Sequence, residues 1–372
     1  MTQKSKEIGH HRDGGDPGDD RSYPPSFRPF RSLRPLRSLM SLASLMSLIL
    51  MAQTPLLGEQ NMKKLTKANL AKARNFIMTQ ARPLEQSLYR FRFEKGSKEA
   101  VLAALKEYQN PDGGFGKALE PDLRAPESSV LATLRGLYLL GTVETSCEHP
   151  MMALGLDYLA KTFDQAKAVW RIIPPTAGAH PHAPWWNQEP LDKVFGGFKV
   201  IPRAEILAFL YGCNSGAVSP TQRRHLARQV IETVESTPDA ELAAGVEGCV
   251  RLFESGGLPR ELRDRLYSRL LTLIPATVER DSAKWKQYCL KPLWLIRTPD
   301  SGFAGLLAES LQRNLDYEIE NQSADGSWAP NWSWFGTYPE TWPVAEKDWR
   351  GVLTVQTLET LQAFGRIEGT DD

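Results

Sequence analysis

The segment EPDLRAPE sets Glu120, Asp122, Arg124 and Glu127 around two prolines. A carboxyl group shielded from water beside a second carboxylate keeps its proton to higher pH and can serve as a general acid. Arg124 would orient its neighbour or hold an anionic group of a substrate. Asp122 and Glu127 equally suit a helix start, where a carboxylate meets the positive end of the dipole. A second segment, AHPHAPWW, supplies His180, His182, Trp185 and Trp186 in a proline-stiffened loop. His182 is the candidate proton partner of the acids, and the indoles could stack on a sugar, a carbocation or an isoprenoid. A third, WSWFGTYPETW, carries Trp332, Trp334, Tyr338, Glu340 and Trp342, which either line a cavity or pack between helices. The candidate catalytic set is therefore Glu120, Asp122 and His182. The candidate substrate-binding set is Arg124, His180, Trp185, Trp186, Trp332, Trp334, Tyr338 and Trp342.

Other chemistries lack their motifs. The H-x-H pair has no third ligand at a metal-site spacing, so no metal is expected. No phosphate-binding glycine loop, G-x-S-x-G elbow or H-E-x-x-H occurs, and no cofactor is expected.

The elements that must position these loops are helices. From Leu65 onward apolar residues recur three to four apart, and strand-like alternation is scarce. Ser97 fits the cap of a helix carrying Val101 and Leu105. Pro126 fits the first position of one carrying Val130, Leu134 and Leu137, closed by Gly141. Pro150 opens another, and Ser219 in SPTQ caps the next. The pattern predicts an all-α chain of about ten to twelve helices. Its long loops hold the reactive residues, among them a fourth unusual segment, WKQYCLKPLWLIRTPDS, with Arg297 and Asp300 near its end.

With 372 residues and 41% hydrophobic content the chain can bury a large core. Lys+Arg 45 against Asp+Glu 44 leave a formal charge of +1, so no global field favours nucleic acid or an anionic membrane. No membrane span is expected. Cys147, Cys213, Cys249 and Cys289 are scattered with no C-x-x-C pair, which reads as reduced core thiols in a cytoplasmic protein. Residues 1–61 form a low-complexity leader ending in a near-tripeptide repeat of Ser-Leu type. MKKLTKANLAKARNF at Met62 reads as an ordinary start of the functional protein. The expected organisation is this leader, a helical domain over 62–367 and a short tail over 368–372.

Two loops share a motif. Gln109-Asn-Pro-Asp112-Gly113-Gly-Phe115 matches Gln322-Ser-Ala-Asp325-Gly326-Ser-Trp328 as Q-x-x-D-G-x-[F/W]. Asp-Gly makes the turn, the aromatic plugs the next helix pair, and Gln bonds helix-end groups. This resembles the QW-type repeat of the terpenoid cyclase and protein prenyltransferase superfamily. DGGFGKALEPDLR, HAPWW and QSADGSW are similar to bacterial proteins described as carrying prenyltransferase or squalene-oxidase repeats. The resemblance implies an α/α toroid, a double ring of helical hairpins around a central cavity, and a hydrophobic small-molecule substrate such as an isoprenoid. The chain lacks the D-x-D-D acid, the zinc setting and the diphosphate-binding aspartates of that superfamily. A carbohydrate-active hydrolase or lyase on the same fold, and a non-catalytic binding or scaffold protein, stand beside it as alternatives. Apolar aromatic walls would favour the isoprenoid, polar walls with two carboxylates the sugar, and a filled cavity the scaffold.

Overall fold

The computed structural model describes residues 62–369; the leader and the last three residues lie outside the described residues. The described chain is mostly helical, as the periodicity predicts, with one short antiparallel pair, β1 (Phe163–Asp164) and β2 (Val169–Trp170). Helices of nine residues or more run in the order α1 (Lys67–Gln80), α2 (Pro83–Phe93), α3 (Lys98–Lys106), α4 (Val130–Thr142) and α5 (Pro150–Lys161). There follow α6 (Arg203–Gly212), α7 (Pro220–Ser236), α8 (Val246–Glu254), α9 (Arg260–Thr277), α10 (Ala308–Glu320) and α11 (Trp342–Ala363). No described helix is long and apolar enough to cross a membrane.

The caps are local chemistry. The hydroxyls of Thr66, Ser97, Ser129 and Ser219 each accept a backbone N–H of the following turn, and Pro83, Pro150 and Pro220 stand where no amide donor is needed. Two boundaries differ from expectation. Ser129, not Pro126, starts α4, because its hydroxyl supplies the cap that Pro126 cannot, and the helix runs one residue past Gly141. Consequently Asp122 and Glu127 are not first-turn acids.

The two Q-x-x-D-G copies are the same device built twice. Gln109 Nε2 donates to the Gly113 carbonyl at 2.9 Å and to Met151 of α5 at 3.1 Å. Gln322 Nε2 donates to Gly326 at 2.8 Å and to Asn69 of α1 at 3.0 Å. Gly113 and Gly326 have φ of 91° and 92°. A β-carbon would come within 2.5 Å of Leu154 at the first and 2.3 Å of Lys72 at the second, so both steric and torsional reasons demand glycine. The amides of Phe115 and Trp328 donate to Thr133 on α4 and Thr354 on α11, at 3.0 and 3.1 Å. Each copy thus ties a helix end to two further helices.

The two ends of the described residues also meet. Helix α11 packs on α1 and α2, and Leu65 and Ile367 pair as a parallel bridge, with Leu65 N donating to the Arg366 carbonyl at 2.7 Å. One apolar cluster joins the buried faces of the long helices. A smaller one, including Leu123, Ile172, Ile173, Trp186, Phe198 and Trp334, lies under the loops.

Cysteine chemistry departs from expectation. Cys147, after α4, and Cys213, at the end of α6, form a disulfide with Cα atoms 5.5 Å apart; only Cys249 and Cys289 are free thiols. The sequence carries no spacing cue for the pair, because the fold alone brings two helix ends together. The thiol argument for a cytoplasmic location falls with it, since such bonds persist in oxidising compartments.

Candidate functional site

The first repeat copy delivers the acid. After its turn the chain passes through Lys117 and Ala118, both at positive φ, 54° and 59°, an uncommon backbone for residues with a β-carbon. Arg82 holds this bend through a 2.9 Å bond to the Ala118 carbonyl, and is itself gripped by both carboxylate oxygens of Glu85 at 2.6 and 2.9 Å. Strain fixed by a buried ion pair aims the next residues. Glu120, 9% exposed, meets Arg135 of α4 at 3.3 Å.

Burial pushes the Glu120 carboxyl up to about 7; Arg135 opposes this, the Asp122 charge reinforces it, and Arg82 opposes it. Burial likewise depresses Arg135 below the usual arginine range, with Glu120 opposing. Glu120 therefore exchanges its proton near neutral pH, as a general acid requires.

Asp122, 3% exposed, is a knot between loops. Its carboxylate accepts the indole N–H of Trp334 at 2.7 Å, and its carbonyl accepts the amide of Ala183 at 2.9 Å. Burial raises its pKa, and the indoles of Trp334, Trp349 and Trp332 act against that rise. The Nε1 groups of Trp332 and Trp349 make no hydrogen bond among the described residues, yet both indoles act on Asp122 and favour its charge. Arg135 lies over the Trp349 ring at 5.2 Å, linking the Glu120 ion pair to this cage. Asp122 is better placed to fix the loops than to reach a substrate.

An aromatic wall continues outward. Trp332 meets Trp349 edge-on at 5.1 Å and Trp294 at 6.1 Å; Tyr288 lies 5.9 Å from Trp294 and 6.1 Å from Trp332. Tyr288 is 73% exposed, yet its phenol, raised chiefly by burial, feels the charges of Asp122, Glu247 and Glu120. It thus lies within electrostatic reach of all three carboxylates. Glu247 and Arg251 of α8 bond at 2.5 Å, Glu205 of α6 lies 3.8 Å from Arg251, and Arg297 lies 3.9 Å from Glu247. Burial works against the Glu247 charge, but Arg251 and Arg297 hold its pKa below the ordinary value; burial raises Glu205. A cavity of about 330 Å³ opens beside this wall, with Trp294, Trp332, Arg297 and Lys291 in its lining. A larger groove of about 630 Å³ lies elsewhere, around Arg203.

The expected residues divide sharply. Glu120, Asp122, Trp332 and Trp334 come together. His182 does not join them through its ring: Nδ1 is 2.6 Å from the His180 carbonyl and Nε2 3.1 Å from Asn187 Oδ1, so both nitrogens hold the loop's own shape. Its backbone pairs with Leu123, which is how the two loops meet. Arg124 turns to Asp348 of α11 at 2.7 Å, and His180 faces Glu127 at 3.4 Å. Trp186 stacks on Phe195 at 5.3 Å, and Trp185, Tyr338 and Trp342 pack on the smaller apolar cluster.

Residues missed from the sequence are Arg135, Tyr288, Trp294, Trp349, Glu247, Arg251 and Glu205. Arg135 had a signal: it is the one charge in the helix VLATLRGLYLLGT. The Glu247/Arg251 spacing looks like any solvated helical pair, and only packing turns it inward. Metal ligands in a cluster are absent among the described residues. The chain matches no family model, no curated protein and no solved structure.

Proposed function

We propose that the chain is an α/α-toroid enzyme acting on a saccharide, with Glu120 as general acid. The paired clamps and the junction of α11 with α1 support the closed ring of hairpins. One observation carries the chemistry: a buried carboxyl group kept protonated to about pH 7 pairs with Arg135, whose guanidinium lies over the indole of Trp349 in the cage around Asp122. Glu120 would protonate the leaving oxygen. Glu247, held ionised by Arg251 and Arg297, is the carboxylate available to activate water or attack the anomeric carbon. Trp294, Trp332 and Tyr288 offer faces for a pyranose ring.

An isoprenoid fits less well. The same aromatic faces would suit a carbocation, but Arg135, Arg251 and Arg297 would repel it, and stripping water from Glu205 and Glu247 to seat an apolar chain costs free energy without return. A purely structural role would leave the cavity filled, whereas Tyr288 stands in solvent.

Native mass spectrometry of the full chain for a co-purifying glycan, followed by hydrolysis assays within that class, tests the proposal. Glu120→Gln should lower kcat by about 10²- to 10⁴-fold, the typical contribution of a positioned acid, with KM little changed. Full activity in that variant, or co-purification of an isoprenoid alone, would overturn it.

A further inference from the structure

Arg203, the first residue of α6, is 3% exposed and has no carboxylate partner among the described residues. Nη1 donates to Gln229 Oε1 at 3.2 Å, Nη2 donates to the Ala168 carbonyl, and Nε has no partner. Burial alone brings its pKa down to about 10. Other arginines with little exposure are compensated: Arg82 has Glu85, Arg135 has Glu120 and Arg366 has Asp316. Arg223 also lacks a carboxylate, but it donates to the Leu210 carbonyl at the negative end of α6. Arg203 lies at the positive end of that helix, where its charge is least welcome. A buried cation at such a place calls for an anion.

The surroundings provide room for one. Arg203 lines the groove of about 630 Å³, and exposed Lys167 and Lys199 stand on the same lining with Arg171. The lining acids are largely spoken for: Asp192 pairs with Arg171 at 3.2 Å, and Asp164 accepts the amides of Ala166 and Lys167 at 3.0 Å. Glu232 is exposed. We infer that this groove is a binding site for a phosphate- or sulfate-type oxyanion, with Arg203 as its buried charge partner and Lys167 and Lys199 at its rim. The site shares no lining residue with the cavity of about 330 Å³ and stands independently of the saccharide proposal.

Thermal unfolding of the full chain in inorganic phosphate or sulfate, against chloride at equal ionic strength, reads it out. The oxyanions should raise Tm by about 5 °C at a hundredfold excess over Kd. Arg203→Met should keep the wild-type Tm in chloride, since it removes a buried charge at similar volume, and should lose the oxyanion shift. A Lys167→Ala/Lys199→Ala double variant, altered only at exposed positions, should weaken phosphate binding about tenfold by isothermal calorimetry, and it serves if Arg203→Met does not fold. A sugar phosphate binding tighter than inorganic phosphate would assign the oxyanion to a larger ligand; equal affinity would assign it to the free ion. Identical Tm in phosphate and chloride, or wild-type phosphate affinity in both variants, would overturn the inference.

Discussion

Glu120 owes its behaviour to a conflict between burial and one imperfect partner. Arg135 approaches only one of its oxygens, at 3.3 Å, too weak a contact to offset the loss of water. The sign of the consequence follows. Its folded pKa, about 7, lies above the ordinary 4.5, so the folded state binds this proton more tightly than the unfolded state. The stabilisation is complete below pH 4.5 and is lost as pH rises through 7, amounting to about 3 kcal/mol. Urea unfolding at pH 5 and pH 8 should therefore show a fall in the wild type that is smaller by about 2.5 kcal/mol in Glu120→Gln. The same protonation sets activity, which should decline as pH rises through about 7 if the carboxyl is the proton donor. Glu120 was legible as a candidate from its acidic, proline-bounded loop. Arg135 stood out as the lone charge of its helix, but its pairing with Glu120 was not legible, because such an arginine looks alike whether it reaches out to solvent or inward to an acid.

The loops are fixed by elements acting at a distance. The first clamp orients the strained bend before Glu120; the second precedes the chain that carries Trp332 and Trp334 to Asp122. Both were legible because glycine, aspartate and glutamine do local work that the sequence displays. The Cys147–Cys213 bond was not. It joins segments 66 residues apart and ties the loop between α4 and α5 to the end of α6. In the chain-entropy account a crosslink of this span contributes about 4 kcal/mol. A Cys147→Ser/Cys213→Ser double variant should unfold at lower denaturant by that amount. Thiol titration of the unreduced, denatured wild type should find two reactive cysteines of four; four would exclude the bond.

At the scale of the molecule, the two ends of the described chain are tied together. Arg366, fully buried, bonds the Lys63 carbonyl, Gln312 Oε1 at 2.9 Å and Asp316, so one guanidinium joins the first described residues, α10 and the segment after α11. Arg366→Met should cost about 3 kcal/mol, because several charge-assisted bonds vanish together and leave buried acceptors unmet. Hydrogen exchange should rise first at the amides of Leu65 and Glu368, which form the terminal bridge. Uniform exchange across the chain, or unchanged stability, would mean that α11 packing alone holds the ends.

Helical class, caps, the twin clamps and the acid-bearing loop were determined by the sequence itself, since each rests on residues within a few positions of one another. Tertiary structure alone decided which side chains meet Glu120 and Asp122. His182 and Arg124 stand close to the acids in the sequence pattern, yet their side chains turn to His180 and Asp348, while Arg135 and Trp349 arrive from separate helices. The physical reason is burial: it sets the proton affinity of Glu120 and leaves Arg203 without a counter-charge. Burial belongs to the packed whole and to no short stretch of chain.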